Sequence, residues 1–176
     1  MKRFLLLSIL AAVPVLCQAA WSPSVSVSAF YHGTEVDQCY DSSGALRNSL
    51  GFSGEINPLA LSIGRHRISL PVTLSYITKS QTVSRTLVDE RYECSLSAEY
   101  GYRFHRRFSL SLSLDMRLSV FPLTSSTLWR SGLTLKSALK LAKHLEALVP
   151  VSFVIGEAET AFTCGLALRA LWGGWK

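Results

Sequence analysis

The chain has 176 residues, a formal net charge of +6 and 48% hydrophobic residues. Its length corresponds to about one domain. The positive excess is modest, and the sequence contains no phosphate-binding loop, metal-binding motif or nucleic-acid signature. We therefore expect no nucleic-acid partner and no cofactor.

The first residues have the pattern of an export signal. Lys2 and Arg3 precede an apolar stretch over residues 4–16, and Ala19 supplies the small residue that signal peptidase requires. We predict a signal peptide over residues 1–19 and one mature domain over 20–176, with cleavage after Ala20 as the close alternative. Acylation of Cys17 as a lipoprotein is a further alternative, which the bulky Leu16 before it disfavours.

Apolar and polar residues alternate without interruption over residues 108–120, which read FSLSLSLDMRLSV. A period of two indicates an extended strand with one apolar and one polar face. The run exceeds the ~5–6 residues of an ordinary globular strand. It also reaches the ~9–11 residues that a tilted strand needs to cross a bilayer. The segment is therefore predicted to be a membrane-spanning strand.

The same alternation recurs along the chain and predicts eight strands. In chain order they cover approximately residues 22–32, 49–63, 68–76, 92–102, 108–120, 129–141, 149–155 and 162–172. The second changes its apolar phase at Asn57-Pro58, where we expect a bulge or bend. Pro71 weakens the third prediction, because proline cannot donate a ladder hydrogen bond.

The sixth strand has a helical alternative. Leu135, Leu139, Ala142 and Leu145 also fit the spacing of an amphipathic helix, and leucine and alanine favour helices. We prefer a strand, because both neighbouring segments are strands and an even number of strands closes a barrel.

The predicted connections differ in length and charge. Residues 64–67, 105–107 and 143–144 form tight, basic turns, whereas residues 33–48, 78–90 and 122–128 form longer connections, and 156–160 is short and acidic. This asymmetry is typical of outer-membrane barrels, with the tight turns periplasmic. The basic turns are either ordinary solvated turns or contacts for acidic lipid headgroups or an anionic periplasmic partner.

Aromatic residues are predicted at both ends of the strands, with leucine between them. Such girdles around an aliphatic belt are typical of membrane barrels. A chain that crosses the bilayer with strands must close, because every backbone polar group has to be paired. We therefore predict an all-β fold, an eight-stranded antiparallel transmembrane β-barrel over residues 20–176.

These patterns resemble the small eight-stranded outer-membrane barrels of the OmpA and OmpW type. The resemblance covers the mature chain but rests on pattern, and the ending LWGGWK departs from the usual terminal aromatic residue. It implies a protein of the outer membrane of a diderm bacterium. The outer-membrane lipid and the barrel-assembly machinery would be its partners.

The polar strand faces predict a charged lumen. The candidate residues are Glu93, Glu99, Arg103, Asp115, Arg117, Arg130, Lys136, Lys140 and Arg169. Unpaired buried charges are costly, so we expect a network that spans Glu99, Asp115, Arg103 and Arg117. The network either closes the lumen or leaves a narrow passage that prefers anions because of its excess of cations.

Function follows less directly from the sequence. We expect a surface-exposed scaffold or interaction protein, whose first loop offers Cys39, Tyr40 and Asp41 to an external ligand, or a narrow porin-like channel for small solutes or hydrophobic compounds. The alternative is a soluble, exported, lipocalin-like carrier with the leucine face inside. Catalysis is not expected, since His32 at a rim is usually only solvated. The disulfide state of Cys39, Cys94 and Cys164 and the oligomeric state are left open.

Overall fold

The computed structural model describes residues 20–36, 47–78, 80–81, 87–88, 90–122, 125–156 and 159–172. The predicted signal peptide and the first-loop residues Cys39, Tyr40 and Asp41 lie outside these ranges. No helix in the described part of the chain is long and apolar enough to cross a membrane.

The described residues form eleven strands. Their bounds are β1 Ala20–Trp21, β2 Ser24–Val36, β3 Arg47–Ile63, β4 His66–Ile77, β5 Ser80–Gln81, β6 Leu87–Val88, β7 Arg91–His105, β8 Phe108–Phe121, β9 Ser126–Ala142, β10 Leu145–Gly156 and β11 Glu159–Leu171. The eight long strands correspond to the eight predicted ones, and most extend a few residues further than the sequence indicates.

The eight long strands form a closed antiparallel barrel. They pair in the order β3-β2-β11-β10-β9-β8-β7-β4, and the pairing of β4 with β3 closes the ring. The short β1 adds to β3, and β5 pairs with β6 as a separate hairpin. The predicted fold class is confirmed. Closure leaves no unpaired sheet edge in the barrel wall.

The apolar face of each strand points outward and the polar face points into the lumen. In β8, Leu114 is 67% exposed, whereas the neighbouring Ser113 and Asp115 are buried. The other strands repeat this alternation, with leucine, valine and phenylalanine on the outer surface. A lipocalin-like carrier requires the opposite arrangement, so that alternative is not favoured.

Irregularities occur where the sequence predicts them. The register between β3 and β4 shifts between Ile56 and Leu59, which confirms the bend at Asn57-Pro58. In β4 the ladder to β7 skips from Ser69 to Val72, so Pro71 lies where its missing N–H is tolerated.

The helical alternative for the sixth segment is wrong. Strand β9 pairs along its length with both β8 and β10, from Ser126 opposite Phe121 to Ala142 opposite Leu145. Two ladders satisfy its backbone and place Leu133, Leu135, Leu139 and Leu141 on the outer surface. This tertiary pairing outweighs the helix propensity of leucine and alanine, which is worth only tenths of a kcal/mol per residue.

Three tight turns define one end of the barrel, which we call the turn end; the opposite end is the loop end. Strands β3 and β4 join through Gly64-Arg65, where Gly64 adopts a φ of 59° that favours glycine. Arg106-Arg107 joins β7 to β8, and Lys143-His144 joins β9 to β10. The longer connections lie at the loop end.

Aromatic side chains gather at both ends of the outer surface. Exposed rings at the turn end belong to Trp21, Tyr100, Phe104, Phe108 and Trp172, and those at the loop end belong to Tyr31, Tyr92, Trp129 and Phe162. The predicted girdles are therefore present. Phe121 is an exception, because its ring lies under the Arg91 guanidinium at a distance of 5.6 Å, on the lumen side of β8.

Candidate functional site

The lumen contains a nearly balanced set of buried charges. The buried cations are Arg67, Arg91, Arg130, Lys136 and Arg169, and the buried anions are Glu55, Glu93, Glu99, Asp115 and Glu146; Arg117 is partly buried. Each comes from the inward face of a strand. Charges removed from water in this way must pair, and they form two layers across the barrel.

The loop-end layer consists of His32, Arg91, Glu93, Asp115, Arg117 and Arg130. Glu93 is its centre: it pairs with Arg130, with Arg91 Nε at 3.2 Å and with Arg117 Nη1 at 4.0 Å. Ser119 Oγ also donates to Glu93 at 3.2 Å. One carboxylate thus holds three guanidinium groups from three strands.

Asp115 completes the loop-end layer. It accepts hydrogen bonds from Arg117 Nη2 at 2.9 Å and from Ser113 Oγ at 2.9 Å, and also from Thr134. Arg117 Nη2 donates in addition to Thr134 Oγ1 at 3.2 Å. Arg117 therefore links Glu93 and Asp115, and the layer extends across β7, β8 and β9.

His32 is buried rather than solvated. Its side chain is 2% exposed and contacts Arg91. The expectation of a solvated rim histidine is wrong, because β2 continues to Val36 and places His32 inside the barrel. His32 is separated from Ser26 and Ser28 by an even number of positions, so the alternation along β2 places all three on the inward face. The predicted strand ended at His32, and the residue was therefore treated as part of the rim.

The turn-end layer consists of Glu55, Glu99, Lys136, Glu146 and Arg169. Lys136 Nζ lies 2.6 Å from Glu55 Oε2 and 2.7 Å from Glu99 Oε2. Arg169 lies 3.4 Å from Glu55, 3.8 Å from Glu99 and 3.8 Å from Glu146. Two cations therefore share Glu55 and Glu99, and Arg169 also holds Glu146.

Arg67 lies beside this layer. Its Nη2 donates to the Ser22 carbonyl oxygen and to Ser24 Oγ, both at 3.1 Å. The sequence pattern predicts Arg67 in a basic turn, but β4 begins at His66 and directs Arg67 inward. The side chain thereby fixes the segment between β1 and β2 to the lumen wall.

A polar cavity of ≈ 90 Å³ lies between the two layers. Serine and threonine side chains line much of it, including Ser95, Ser97, Ser152 and Thr163, with Arg117 on one side and Lys136 on the other. A water needs roughly 10–15 Å³ of such space and two to four polar partners. The cavity therefore suits several waters that connect the two layers.

The structure divides the network predicted from the sequence. Glu93, Glu99, Asp115, Arg117, Arg130, Lys136 and Arg169 lie in the two layers. Arg103 and Lys140 instead lie half-buried at the turn-end mouth, where Arg103 Nη2 donates to the Gly64 carbonyl oxygen at 3.3 Å. Glu99 pairs with Lys136 and Arg169, in a different layer from Asp115 and Arg117.

Four lumen residues were missed by the sequence analysis, namely Glu55, Glu146, Arg67 and Arg91. Glu55 is two residues from Ser53, and Arg91 is two residues from Glu93. The alternation of the strands could therefore have assigned both side chains to the lumen. These two cations and two anions leave the predicted excess of three positive charges unchanged. The placement of Arg103 and Lys140 at the turn-end mouth reduces it to one among the charges inside the lumen, six cations against five anions. This smaller excess weakens the predicted anion preference.

Other chemistry-bearing residues are few in the described ranges. No group of three or more His, Cys, Asp or Glu residues there could hold a metal ion. Cys94 and Cys164 have free thiols and lie on the outer surface of β7 and β11.

The barrel resembles small bacterial outer-membrane barrels of known structure. It matches Neisserial surface protein A with a TM-score of 0.59 and 11% identity, over 86% of this chain and 97% of that chain. It matches Ail of Yersinia pestis, in complex with the heparin analogue sucrose octasulfate, with a TM-score of 0.56 and 11% identity (86% and 98%). The N-terminal β-barrel domain of Pseudomonas aeruginosa OprF matches with a TM-score of 0.56 and 12% identity, over 88% of this chain and 100% of that chain.

No protein-family model and no curated protein matches the sequence. The likeness to these structures therefore concerns the fold. The chain has the eight-stranded antiparallel barrel fold that they share.

Proposed function

We propose that this chain is an outer-membrane β-barrel of a diderm bacterium. In this proposal residues 1–19 are removed on export, and the barrel-assembly machinery inserts residues 20–176. The observation that carries it is the inverted distribution of polarity, with leucines outside and ion pairs inside. The shared fold of three bacterial outer-membrane barrels supports it.

The outer surface of the barrel suits hydrocarbon and not water. A soluble monomer rarely exposes a contiguous apolar patch larger than a few hundred Å². Here the exposed apolar side chains surround the barrel, from Leu50 and Leu74 through Leu114 to Phe153 and Leu166. Each Å² of this surface that lipid covers is worth roughly 25 cal/mol.

We further propose that the protein is a closed scaffold whose loops make its contacts. The two ion-paired layers support a closed lumen, because a permeating ion would have to displace buried charges that already hold one another. Interaction with an external partner would then fall to the loop end. The first loop, with Cys39, Tyr40 and Asp41, is the proposed contact surface.

The charge of the loop end bears on the class of partner. The connections over residues 33–48, 78–90 and 156–160 contain seven acidic residues, Glu35, Asp37, Asp41, Asp89, Glu90, Glu157 and Glu159, against Arg47, Lys79 and Arg85. Like charges suppress binding of the wrong partner. We therefore propose a cationic partner here, and not a sulfated sugar such as the heparin analogue sucrose octasulfate in the complex with Ail.

The first test is the heat-modifiability of the purified protein in detergent, followed by single-channel recording in planar bilayers. We expect a band that shifts on boiling, and no discrete conductance steps. The boiled and unboiled samples are each other's control for folding.

Other outcomes would contradict separate parts of the proposal. A monomer that stays soluble without detergent would exclude the membrane barrel. Discrete conductance steps from a heat-modifiable barrel would keep the membrane assignment and replace the closed scaffold with a narrow channel.

A further inference from the structure

The exposed charged side chains in the described part of the turn end are all positive. Arg65, Arg106, Arg107 and Lys143 project from the three tight turns, and all four are exposed. The acidic residues of the turn-end layer, Glu55, Glu99 and Glu146, are all buried and lie against Lys136 or Arg169. The turn end therefore presents a basic rim, defined by these four residues, to whatever surrounds it.

An apolar groove lies on the outer surface directly beside this rim. Its volume is ≈ 710 Å³, within the range of roughly 300–1,000 Å³ that ligand pockets occupy. It crosses β8, β9, β10, β11 and β2, and among its lining side chains are Leu139, Val149 and Leu166.

The register explains the groove. One row of paired outward residues runs across five adjacent strands: Phe108, Leu139, Ala147, Leu168 and Val27. Ala147 is the small member in the middle of this row, so large side chains stand on both sides of a depression. Filling the position of Ala147 with a large side chain would close the groove at that point.

Phe108 connects the groove to the basic rim. Phe108 lines the groove, and it also lines a small pocket together with Arg103, Arg106, Arg107, Lys140 and the buried Glu146. A ligand with a negative head and an apolar tail could therefore contact the arginines and the groove at the same time. A small soluble anion would use only the first of these features.

We propose that the basic rim and the groove together bind an anionic phospholipid of the leaflet around the turn end. The phosphate group lies at Arg106 and Arg107, and one acyl chain lies in the groove over Ala147. This inference rests on the proposed membrane location. Charge complementarity selects an anionic over a zwitterionic headgroup, because the described part of the rim offers no exposed acid to a choline or an ethanolamine group.

The expected preference follows from the charge. A basic residue near an anionic lipid surface contributes about 1 kcal/mol, which corresponds to roughly a fivefold change in affinity. Neutralising Arg106 and Arg107 together should weaken binding of the anionic lipid by at least about tenfold. The zwitterionic lipid should respond much less.

The test uses the barrel purified in detergent and titrated with dioleoyl phosphatidylglycerol or dioleoyl phosphatidylcholine, with bound lipid counted by native mass spectrometry. We expect phosphatidylglycerol to bind at least about tenfold more tightly, and R106Q/R107Q to remove that preference. A147F should weaken both lipids, whereas A98F, at an outward alanine that does not line the groove, should weaken neither.

Several results would overturn the inference. Equal binding of the two lipids by the unaltered protein would do so without any variant. A preference that survives R106Q/R107Q, or equal losses in A147F and A98F, would also contradict it. Polyphosphate bound as tightly as phosphatidylglycerol would assign the rim to a soluble polyanion. Heat-modifiability of the same samples separates these results from failure of the proposed barrel itself.

Discussion

Lys136 and Glu55 form an ion pair across the full width of the barrel. Their Nζ and Oε2 atoms lie 2.6 Å apart, although 81 residues separate them in the sequence. Strands β9 and β3 are four positions apart in the ring of eight, so they are diametrically opposite. Arg169 of β11 and Glu99 of β7 form a second ion pair between opposite strands, with Nη2 and Oε1 3.8 Å apart. The two pairs cross inside the lumen, and this crossing supports the proposed closed scaffold.

Removal of the lysine should be costly. We expect K136M to lower the free energy of unfolding by about 3–5 kcal/mol, because Glu55 and Glu99 would remain buried after losing a shared cation. Urea unfolding in detergent, followed by loss of the heat-modifiable band, measures this change.

The matched control is K140M, which removes a half-buried lysine at the turn-end mouth on the same strand. It should change stability by less than about 1 kcal/mol. Equal effects of the two variants would mean that the crossing pair has no special role.

Arginine substitutions at two membrane depths can test whether the outer surface faces hydrocarbon. Leu114 is midway along β8 and 67% exposed, and Val120 is near the loop end of the same strand. We expect L114R to destabilise the bilayer-inserted barrel by about 2–4 kcal/mol and V120R by about 0–1 kcal/mol, because the cost of arginine falls towards the membrane interface. The measurement is reversible unfolding from lipid vesicles.

The same pair of variants distinguishes a membrane barrel from a soluble one. In water, arginine at an exposed position is harmless at either depth. If L114R were as stable as V120R, the outer surface would not be facing hydrocarbon.

The alternation in the sequence predicts which side chains face outward and which face the lumen. It does not predict which lumen side chains contact one another. Alternation assigns each residue to one face, so Leu114 and Asp115 were placed correctly from their neighbours alone. Which charges meet depends on the stagger between opposite strands, and this accumulates over four ladders and a bulge at Asn57. Lys136 therefore meets Glu55, which no local pattern indicates.

Strand ends limited the rest of the prediction. Arg67 was assigned to a turn and His32 to a solvated rim because the predicted strands stopped too early. Both side chains are buried in the structure. Closing the barrel adds a ladder on each side of a strand, and these ladders extend strands into segments that sequence alone would leave as loop.

Phe30 requires glycine on both neighbouring strands. It pairs with Gly165 of β11 and with Gly51 of β3. A Cβ atom on Gly165 would lie 2.6 Å from the Ala29 carbonyl oxygen and 2.6 Å from Phe30 Cβ, and one on Gly51 would meet the Phe30 ring. The Phe30 ring therefore leaves no room for a side chain at Gly51, and the Ala29–Phe30 backbone with the Phe30 Cβ leaves none at Gly165.

We expect G165A to lower the free energy of unfolding by about 1–3 kcal/mol, the usual cost of overpacking, because the backbone oxygen of Ala29 cannot move aside freely. The control is G54A on β3, where a Cβ would meet nothing within 4 Å. G54A should be neutral or slightly stabilising. Urea midpoints in detergent compare the two, and a G165A barrel as stable as G54A would contradict the packing argument.

The proposed orientation makes Cys39 a reporter of the cell surface. Cys94 and Cys164 lie on the outer wall of the barrel, so membrane lipid would shield their thiols from aqueous reagents. The first loop belongs to the loop end, which the proposal places outside the cell. A membrane-impermeant maleimide should therefore label intact cells through Cys39 and fail to label the C39S variant.

Labelling that requires lysis, in a barrel that remains heat-modifiable, would mean that the loop end faces the periplasm.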